Sequence, residues 1–214
     1  MLTSSQVYKG KYLEVLTLPV GQMQANCYLV VDKKSSSCLI IDPGDDAEYI
    51  ENIISDKKLK PIKIICTHGH FDHVGAVLIL KLAYQIPFLI NKKDEFLFKK
   101  ARNSASHFVG IDIGPAVKID DFLKEDELVN IDNIKLKVIE SPGHTPGSIC
   151  LYLKAESLIF TGDLVFSGGM VGRVDFSYSS SSDLQKSLQK IYKLPKETLI
   201  FPGHGEVFRL SAAV

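Results

Sequence analysis

The chain has 214 residues, of which 45% are apolar and 23% charged, the make-up of a soluble globular protein large enough to build its core without disulfides. Its 25 basic and 25 acidic residues cancel, so no bulk field draws it to nucleic acid or to an anionic membrane. The longest apolar stretch, residues 74–82, is interrupted by Lys81 and is far too short to span a bilayer, and residues 1–12 show no basic segment followed by an apolar one, so no signal peptide is expected.

In chain order, apolar runs predict strands at 15–18, 28–31 and 38–41, a helix over 47–55, a strand at 62–66, a helix over 73–85, a strand at 88–90 and a helix over 92–102. The second half predicts strands at 135–139, 149–153 and 158–160, a helix over 183–192 and a strand at 199–201. Ser35, Ser36 and Ser37 read as a hairpin turn, and the serines between 177 and 182 as the approach to the last helix. Strands in both halves with helices between them predict a layered α/β (α+β) fold. No linker divides the chain, so residues 1–214 are expected to form a single domain. Residues 27–42 and 150–163 both read as strand, polar turn and strand ending in aspartate. They are either copies of one duplicated unit or two hairpins that merely look alike. None of the cysteines, Cys27, Cys38, Cys66 and Cys150, forms a C-x-x-C pair. They read as small buried hydrophobes with reduced thiols, which suits the cytoplasm.

The chemistry-bearing residues gather where strands end. Five apolar strands run into tight glycine-containing turns: Asp42-Pro43-Gly44, Thr67-His68-Gly69-His70-Phe71-Asp72-His73, Ser141-Pro142-Gly143-His144, Thr161-Gly162-Asp163 and Pro202-Gly203-His204. Five of the six histidines lie there, and only His107 does not. Imidazole and carboxylate are suitable ligands for zinc and similar first-row ions. In extended chain, residues two apart point the same way, so His68, His70 and Asp72 converge. A helix start with Asp72 near its cap turns His73 toward them. Taken singly, Asp72 reads equally as a helix cap, Asp163 and Asp42 as turn residues, and His144 or His204 as turn or core residues. Their shared setting favours a common site. His68, His70, Asp72, His73, His144, Asp163 and His204 are too many for one small ion, which takes about four ligands. Two divalent ions sharing a bridging carboxylate fit the count, with zinc the first expectation and iron or manganese as alternatives. A hydroxide between them would be a nucleophile at neutral pH, since metal binding lowers the pKa of water from about 15.7 to about 7.

This set resembles the metallo-β-lactamase-fold hydrolases, and looks most like their glyoxalase II (hydroxyacylglutathione hydrolase) branch. The resemblance covers nearly the whole chain and also includes Asn26-Cys27-Tyr28-Leu29-Val30, Thr145-Pro146-Gly147 and Gly172-Arg173-Val174-Asp175. It implies a four-layer αββα sandwich with the site at one sheet edge. It also implies that His68, His70 and His144 hold a first ion, that Asp72, His73 and His204 hold a second, and that Asp163 bridges them. Asp42 would support the ligands from behind, and Asp72 would hold the attacking hydroxide as well as a metal. The β-lactamases that share this motif place cysteine where Asp163 stands, which disfavours an antibiotic-degrading role. Full-length glyoxalase II enzymes carry a C-terminal helical extension that helps bind glutathione. This chain is similar to the short members without one.

The activity implied is hydrolysis of a small acyl thioester of the S-lactoylglutathione kind by a metal-bridging hydroxide, with an ester as the nearest variant and neither nucleic acid nor membrane as partner. Persulfide dioxygenases look similar but use one iron held by residues matching His68, His144 and Asp163. Ribonuclease Z-type phosphodiesterases share the ligand set but add an RNA-gripping arm, of which no basic counterpart is visible here. A non-enzymatic metal-binding module is the remaining alternative. Arg173 is a candidate partner for a substrate carboxylate, or a surface ion pair with Asp175. Lys99, Lys100 and Arg102 read as a solvated helix face, and His107 as a surface residue in a lid or loop.

Overall fold

The computed structural model describes residues 6–213. A first sheet contains β1 (Gln6–Lys9), β2 (Leu13–Val20), β3 (Ala25–Asp32), β4 (Ser37–Ile41), β5 (Lys60–Ile65), β6 (Phe88–Asn91) and β7 (Asp121–Leu123), side by side in chain order. A second contains β8 (Leu128–Ile131), β9 (Ile134–Glu140), β10 (Ile149–Leu153), β11 (Leu158–Gly162), β12 (Leu199–Pro202) and β13 (Phe208–Arg209), again in chain order. The helices are α1 (Ala47–Asp56), α2 (Phe71–Val74), α3 (Val77–Tyr84), α4 (Glu95–Val109) and α5 (Ser181–Tyr192).

Strand alternation explains the layering. Every residue of β3 is buried, because successive side chains leave a strand on opposite faces and both faces are covered. Cys27, Leu29 and Val31 pack with Ile50 of α1, Leu80 of α3 and Phe98 of α4. Tyr28 and Val30 turn the other way and meet Leu151 and Phe160 of the second sheet. In β10, Ile149, Leu151 and Leu153 face that same inter-sheet core, while Cys150 and Tyr152 pack against Leu184 and Ile191 of α5. The order is helix, sheet, sheet, helix. Each fully buried Val, Leu, Ile or Phe contributes about 1.5–3 kcal/mol, and the inter-sheet layer adds an aromatic group, Tyr28, Phe160 and Phe201, with ring centroids 5.1–5.6 Å apart.

The two hairpins expected to be related occupy equivalent places. β2, β3 and β4 are antiparallel neighbours, with β5 added parallel to β4. β9, β10 and β11 repeat the arrangement, with β12 parallel to β11. Asp42 follows β4 and Asp163 follows β11, which favours a shared unit over chance likeness.

Two expected helices differ from their predicted form. The run 73–85 is split at Gly75 and Ala76 into α2 and α3. The Ala76 N–H donates to the carbonyl of Pro43 (2.9 Å), and a Cβ at Gly75 would lie 2.1 Å from the carbonyl oxygen of Gly44. The Pro43-Gly44 turn therefore takes a donor that a continuous helix would use. The helix predicted over 92–102 starts as a 3-10 turn, Lys92–Asp94, and continues as α4 to Val109, where Gly110 at φ +73° ends it. His107 is thus an exposed helical residue rather than part of a loop. The basic run on α4 is exposed and ion-paired, Lys99 with Glu95 and Arg102 with Asp112.

All four cysteines are buried and unbonded. Burial pushes their thiols up, that of Cys150 to about 12, so they are packing residues rather than nucleophiles. No helix among the described residues is long and apolar enough to cross a membrane.

Candidate metal centre

The turns after β4, β5, β9, β11 and β12 meet at one end of the sandwich, and small residues let them close. A Cβ at Gly44 would sit 1.7 Å from the Asp72 carbonyl oxygen, and one at Gly203 would sit 2.1 Å from Asp163 Oδ1. Only glycine permits either approach. The β3 residues Asn26 and Tyr28 anchor the last turn. Asn26 Nδ2 donates to the carbonyls of Pro202 (3.0 Å) and Gly205 (2.9 Å), and the Tyr28 hydroxyl donates to Pro202 (2.5 Å).

The structure brings all seven candidate ligands together. His70 Nδ1 lies 3.2 Å from His68 Nε2 and 3.0 Å from His144 Nε2. Asp72, His73 and His204 form a second group, with Asp72 Oδ2 at 3.3 Å from His204 Nε2 and 3.7 Å from His73 Nε2. Asp163 stands between the groups. Its Oδ1 is 3.5 Å from His73 Nε2, and its Oδ2 is 3.6 Å from His144 Nε2 and 3.7 Å from His204 Nε2.

Outer hydrogen bonds fix which ring nitrogen faces inward. Carbonyl oxygens only accept, so His144 Nδ1 donates to Arg173 (2.8 Å) and His204 Nδ1 to Met23 (3.1 Å). The Thr67 hydroxyl gives its proton to Asp42 Oδ2 (2.6 Å) and so accepts from His68 Nδ1 (3.1 Å). Asp42 Oδ2 also accepts from His73 Nδ1 (3.1 Å). In the neutral ring, each of these four imidazoles therefore points a bare Nε2 into the centre. His70 completes the set when its Nε2–H donates to the Tyr178 hydroxyl (2.8 Å), which leaves Nδ1 bare.

Bare nitrogens 3.0–3.2 Å apart cannot bond one another. An ion with bonds of about 2.0–2.1 Å spaces tetrahedral ligands by about 3.3 Å, so a cation resolves the conflict. Two of the three described buried side-chain atoms without a hydrogen-bond partner, His73 Nε2 and Asp163 Oδ1, lie here. The residues fit divalent metal ions.

The electrostatics differ between the groups. Burial, then the neighbouring imidazoles, lowers the pKa of His68 and brings that of His70 down to about 3, so both are neutral and ready to ligate. Burial also opposes charge on His73, but Asp163, Asp72 and Asp42 outweigh it and raise its pKa to about 10. Burial would raise Asp72, yet His73 and His204 hold its carboxyl well below the usual range. A cation entering the second group displaces a proton from His73.

Asp42 sits behind this arrangement. It is buried at φ +51°, and its Oδ1 accepts from the Thr67 N–H at 2.6 Å. In Asp42→Asn the amide donors face either the Thr67 N–H or His73 Nδ1. The second choice forces the His73 proton onto Nε2, toward the metal. The expected result is about 10–100-fold weaker binding of one ion, measured by titration with a competing chelator.

Asp94 escaped the sequence reading. It is fully buried at the end of the 3-10 turn after β6. Its Oδ2 accepts from the Gly69 N–H (2.9 Å) and the Thr145 hydroxyl (2.7 Å), and its Oδ1 from the Gly147 N–H (2.6 Å). It ties the His68–His70 turn to the His144 turn. The one available signal was one more acidic residue just past an apolar strand, the one at 88–90. Arg173 reaches the rim of the cavity but is exposed, bound to Asp175 through two bonds of 2.9 and 2.7 Å, and stacked 4.7 Å over Phe176. His107 is not among the cavity's lining residues.

The centre forms the floor of a cavity of about 500 Å³. A more open groove of about 1020 Å³ lies at the hairpin turns of the opposite end and contains none of the candidate ligands.

Comparison with known proteins agrees with the geometry. The sequence model of the Metallo-beta-lactamase superfamily matches residues 20–204. A hydroxyacylglutathione hydrolase of Haemophilus influenzae is 34% identical over 195 residues, 90% of this chain and 91% of that protein. Among solved structures, the BLEG-1 B3 metallo-beta-lactamase superposes with a TM-score of 0.85 at 31% identity, over 92% of this chain and 94% of its own. TTHA1623 in a di-iron-bound form gives 0.83 at 34% identity, over 92% and 95%.

Proposed function

The chain belongs to the metallo-beta-lactamase superfamily, and from that premise we propose that it is a binuclear metallohydrolase that cleaves small acyl thioesters, with S-lactoylglutathione as the reference substrate. The observation that carries this reading is the pair of ligand groups joined by Asp163, with inward-facing nitrogens and two orphaned buried atoms. The seven residues named above are the proposed ligands, His68, His70 and His144 in one set, Asp72, His73 and His204 in the other, with Asp163 shared. The reading takes residues 1–214 as one domain.

Divalent ions bound there, zinc or iron, would supply Lewis acidity and acidify water near neutral pH. Asp72, a carboxylate that a bound cation would keep ionised, orients the attacking water at the cavity floor. The Tyr178 oxygen accepts from His70. Burial pushes its phenol up to about 12, so the phenol keeps its own proton to donate to a substrate oxygen. The water oxygen bonds to the acyl carbon, the carbon–sulfur bond breaks with its electron pair on sulfur, and the thiolate then takes a proton. A chain of net charge zero with this cavity favours a small molecule over a nucleic acid.

The test is a substrate panel run on protein prepared without oxygen and with measured metal content. Two ions per chain and turnover of thioesters are the expected result. The similarity to BLEG-1 puts a β-lactam in the panel. Robust β-lactam turnover with idle thioesters would replace the substrate class, and one iron per chain with persulfide-dependent oxygen uptake would replace the reaction.

A further inference from the structure

The walls above the centre are aromatic. Phe176 and Tyr178 stack at 5.2 Å with their planes 10° apart. Phe71 and Phe108 form a second stacked pair at 6.1 Å and 12°, and Phe166 lies against His204. All five line the 500 Å³ cavity. The apolar surface continues to the mouth, where Phe108 is 65% exposed and Met23 50%. Large apolar side chains left in water at the rim of a site mark it as a binding surface.

Charge is scarce in the same space. Asp72, Asp163 and the histidines belong to the centre itself. Among the described lining residues, Arg173 is the only lysine or arginine, and its Nε and Nη2 already donate to Asp175. A glutathione moiety carries two carboxylates and an ammonium group. Burying them unpartnered would oppose binding.

Building on the thioesterase reading, we propose that the cavity selects thioesters with an apolar, aromatic-sized acyl group on a small uncharged thiol, and that Phe108 and Phe176 set this preference. The acyl carbon meets the floor, its apolar group packs against the two stacked pairs, and the thiol leaves through the mouth.

The experiment compares acetyl and phenylacetyl thioesters of N-acetylcysteamine with S-lactoylglutathione, and separately measures acetate and phenylacetate binding to the metal-containing protein by calorimetry. The expected kcat/KM for the phenylacetyl thioester is about 10- to 100-fold above the acetyl one and exceeds that for S-lactoylglutathione. Phenylacetate is expected to bind at least about tenfold more tightly than acetate. Both ratios fall toward one in Phe108→Ala, whose exposed side chain is not part of the core, and in Phe176→Ala. Equal binding of the two acids, or S-lactoylglutathione as the best substrate, overturns the proposal. Selective phenylacetate binding without hydrolysis of any thioester overturns the reaction assignment and leaves the apolar selectivity standing.

Discussion

Replacing Asp163 with alanine is expected to lower kcat/KM by about 10⁴-fold, roughly 5.5 kcal/mol of transition-state stabilisation, and to reduce bound metal from two ions per chain to one or none. The reason is position. One carboxylate lies within 3.5–3.7 Å of the inner nitrogens of His73, His144 and His204, so it reaches the inward faces of both ligand groups, whereas Asp42 bonds His73 through the outer Nδ1. Removing it leaves two half-sites that are each short of a ligand, with Asp72, beside His73 and His204, as the remaining carboxylate among the proposed ligands. Alanine leaves the turn intact, because the Gly203 N–H bonds the Gly162 carbonyl at 2.8 Å through main chain alone. Elemental analysis and steady-state rates on the same preparation read both effects. Asp163→Asn separates shape from charge. It keeps an oxygen for one ion but lacks the charge to bridge two, and is expected to retain more metal than alanine while losing most of the activity. An alanine variant with two ions and more than about a tenth of the parent rate would remove Asp163 from the bridging role.

What was legible in the sequence follows burial. β3, β4, β10 and β11 are buried along their whole length, so their apolar runs stand out without alternation. The four strands missing from the reading, β1, β7, β8 and β13, are the four sheet edges. Edge strands are short and half-covered, and β8 alternates exposed and buried over only four residues, too few to separate from a loop. The break between α2 and α3 was illegible because its cause, the Pro43-Gly44 turn, lies some thirty residues away in the chain. The ligand turns were legible because histidine is rare here and each follows a strand. Asp94 sits among Lys92, Lys93 and Glu95, where an acid reads as surface charge, and its three hydrogen-bond partners are 25 to 53 positions away. Phe176 and Tyr178 carry no motif. Only the fold places them over His70.

Asp94→Ala is expected to destabilise the protein by about 3–5 kcal/mol, a fall in Tm of roughly 6–20 °C for a domain of this size. The buried carboxylate accepts three hydrogen bonds, and truncation strands the Gly69 and Gly147 N–H groups away from water and leaves the Thr145 hydroxyl with Ser148 Oγ (2.6 Å) as its partner. Part of this loss is offset, because burial already pushes the Asp94 carboxyl up and that unfavourable charge disappears with the side chain. The consequence for the centre is separable from the loss of stability. Gly69 lies between His68 and His70, while Thr145 and Gly147 follow His144, so Asp94 sets the 3.0 Å spacing of His70 from His144. With the tether gone, metal affinity at the group of three histidines is expected to fall about 10–100-fold, while Asp72, His73 and His204, which make no contact with Asp94, keep theirs. Asp94→Asn sharpens the test. Its oxygen can serve Gly69 and Thr145 together, but its amide then meets the Gly147 N–H, donor against donor, where the parent bond is 2.6 Å. Asparagine should therefore recover more than half of the stability lost in alanine and only part of the metal affinity. Equal losses at both ion positions in either variant would mean that Asp94 supports the fold alone and does not align the histidines.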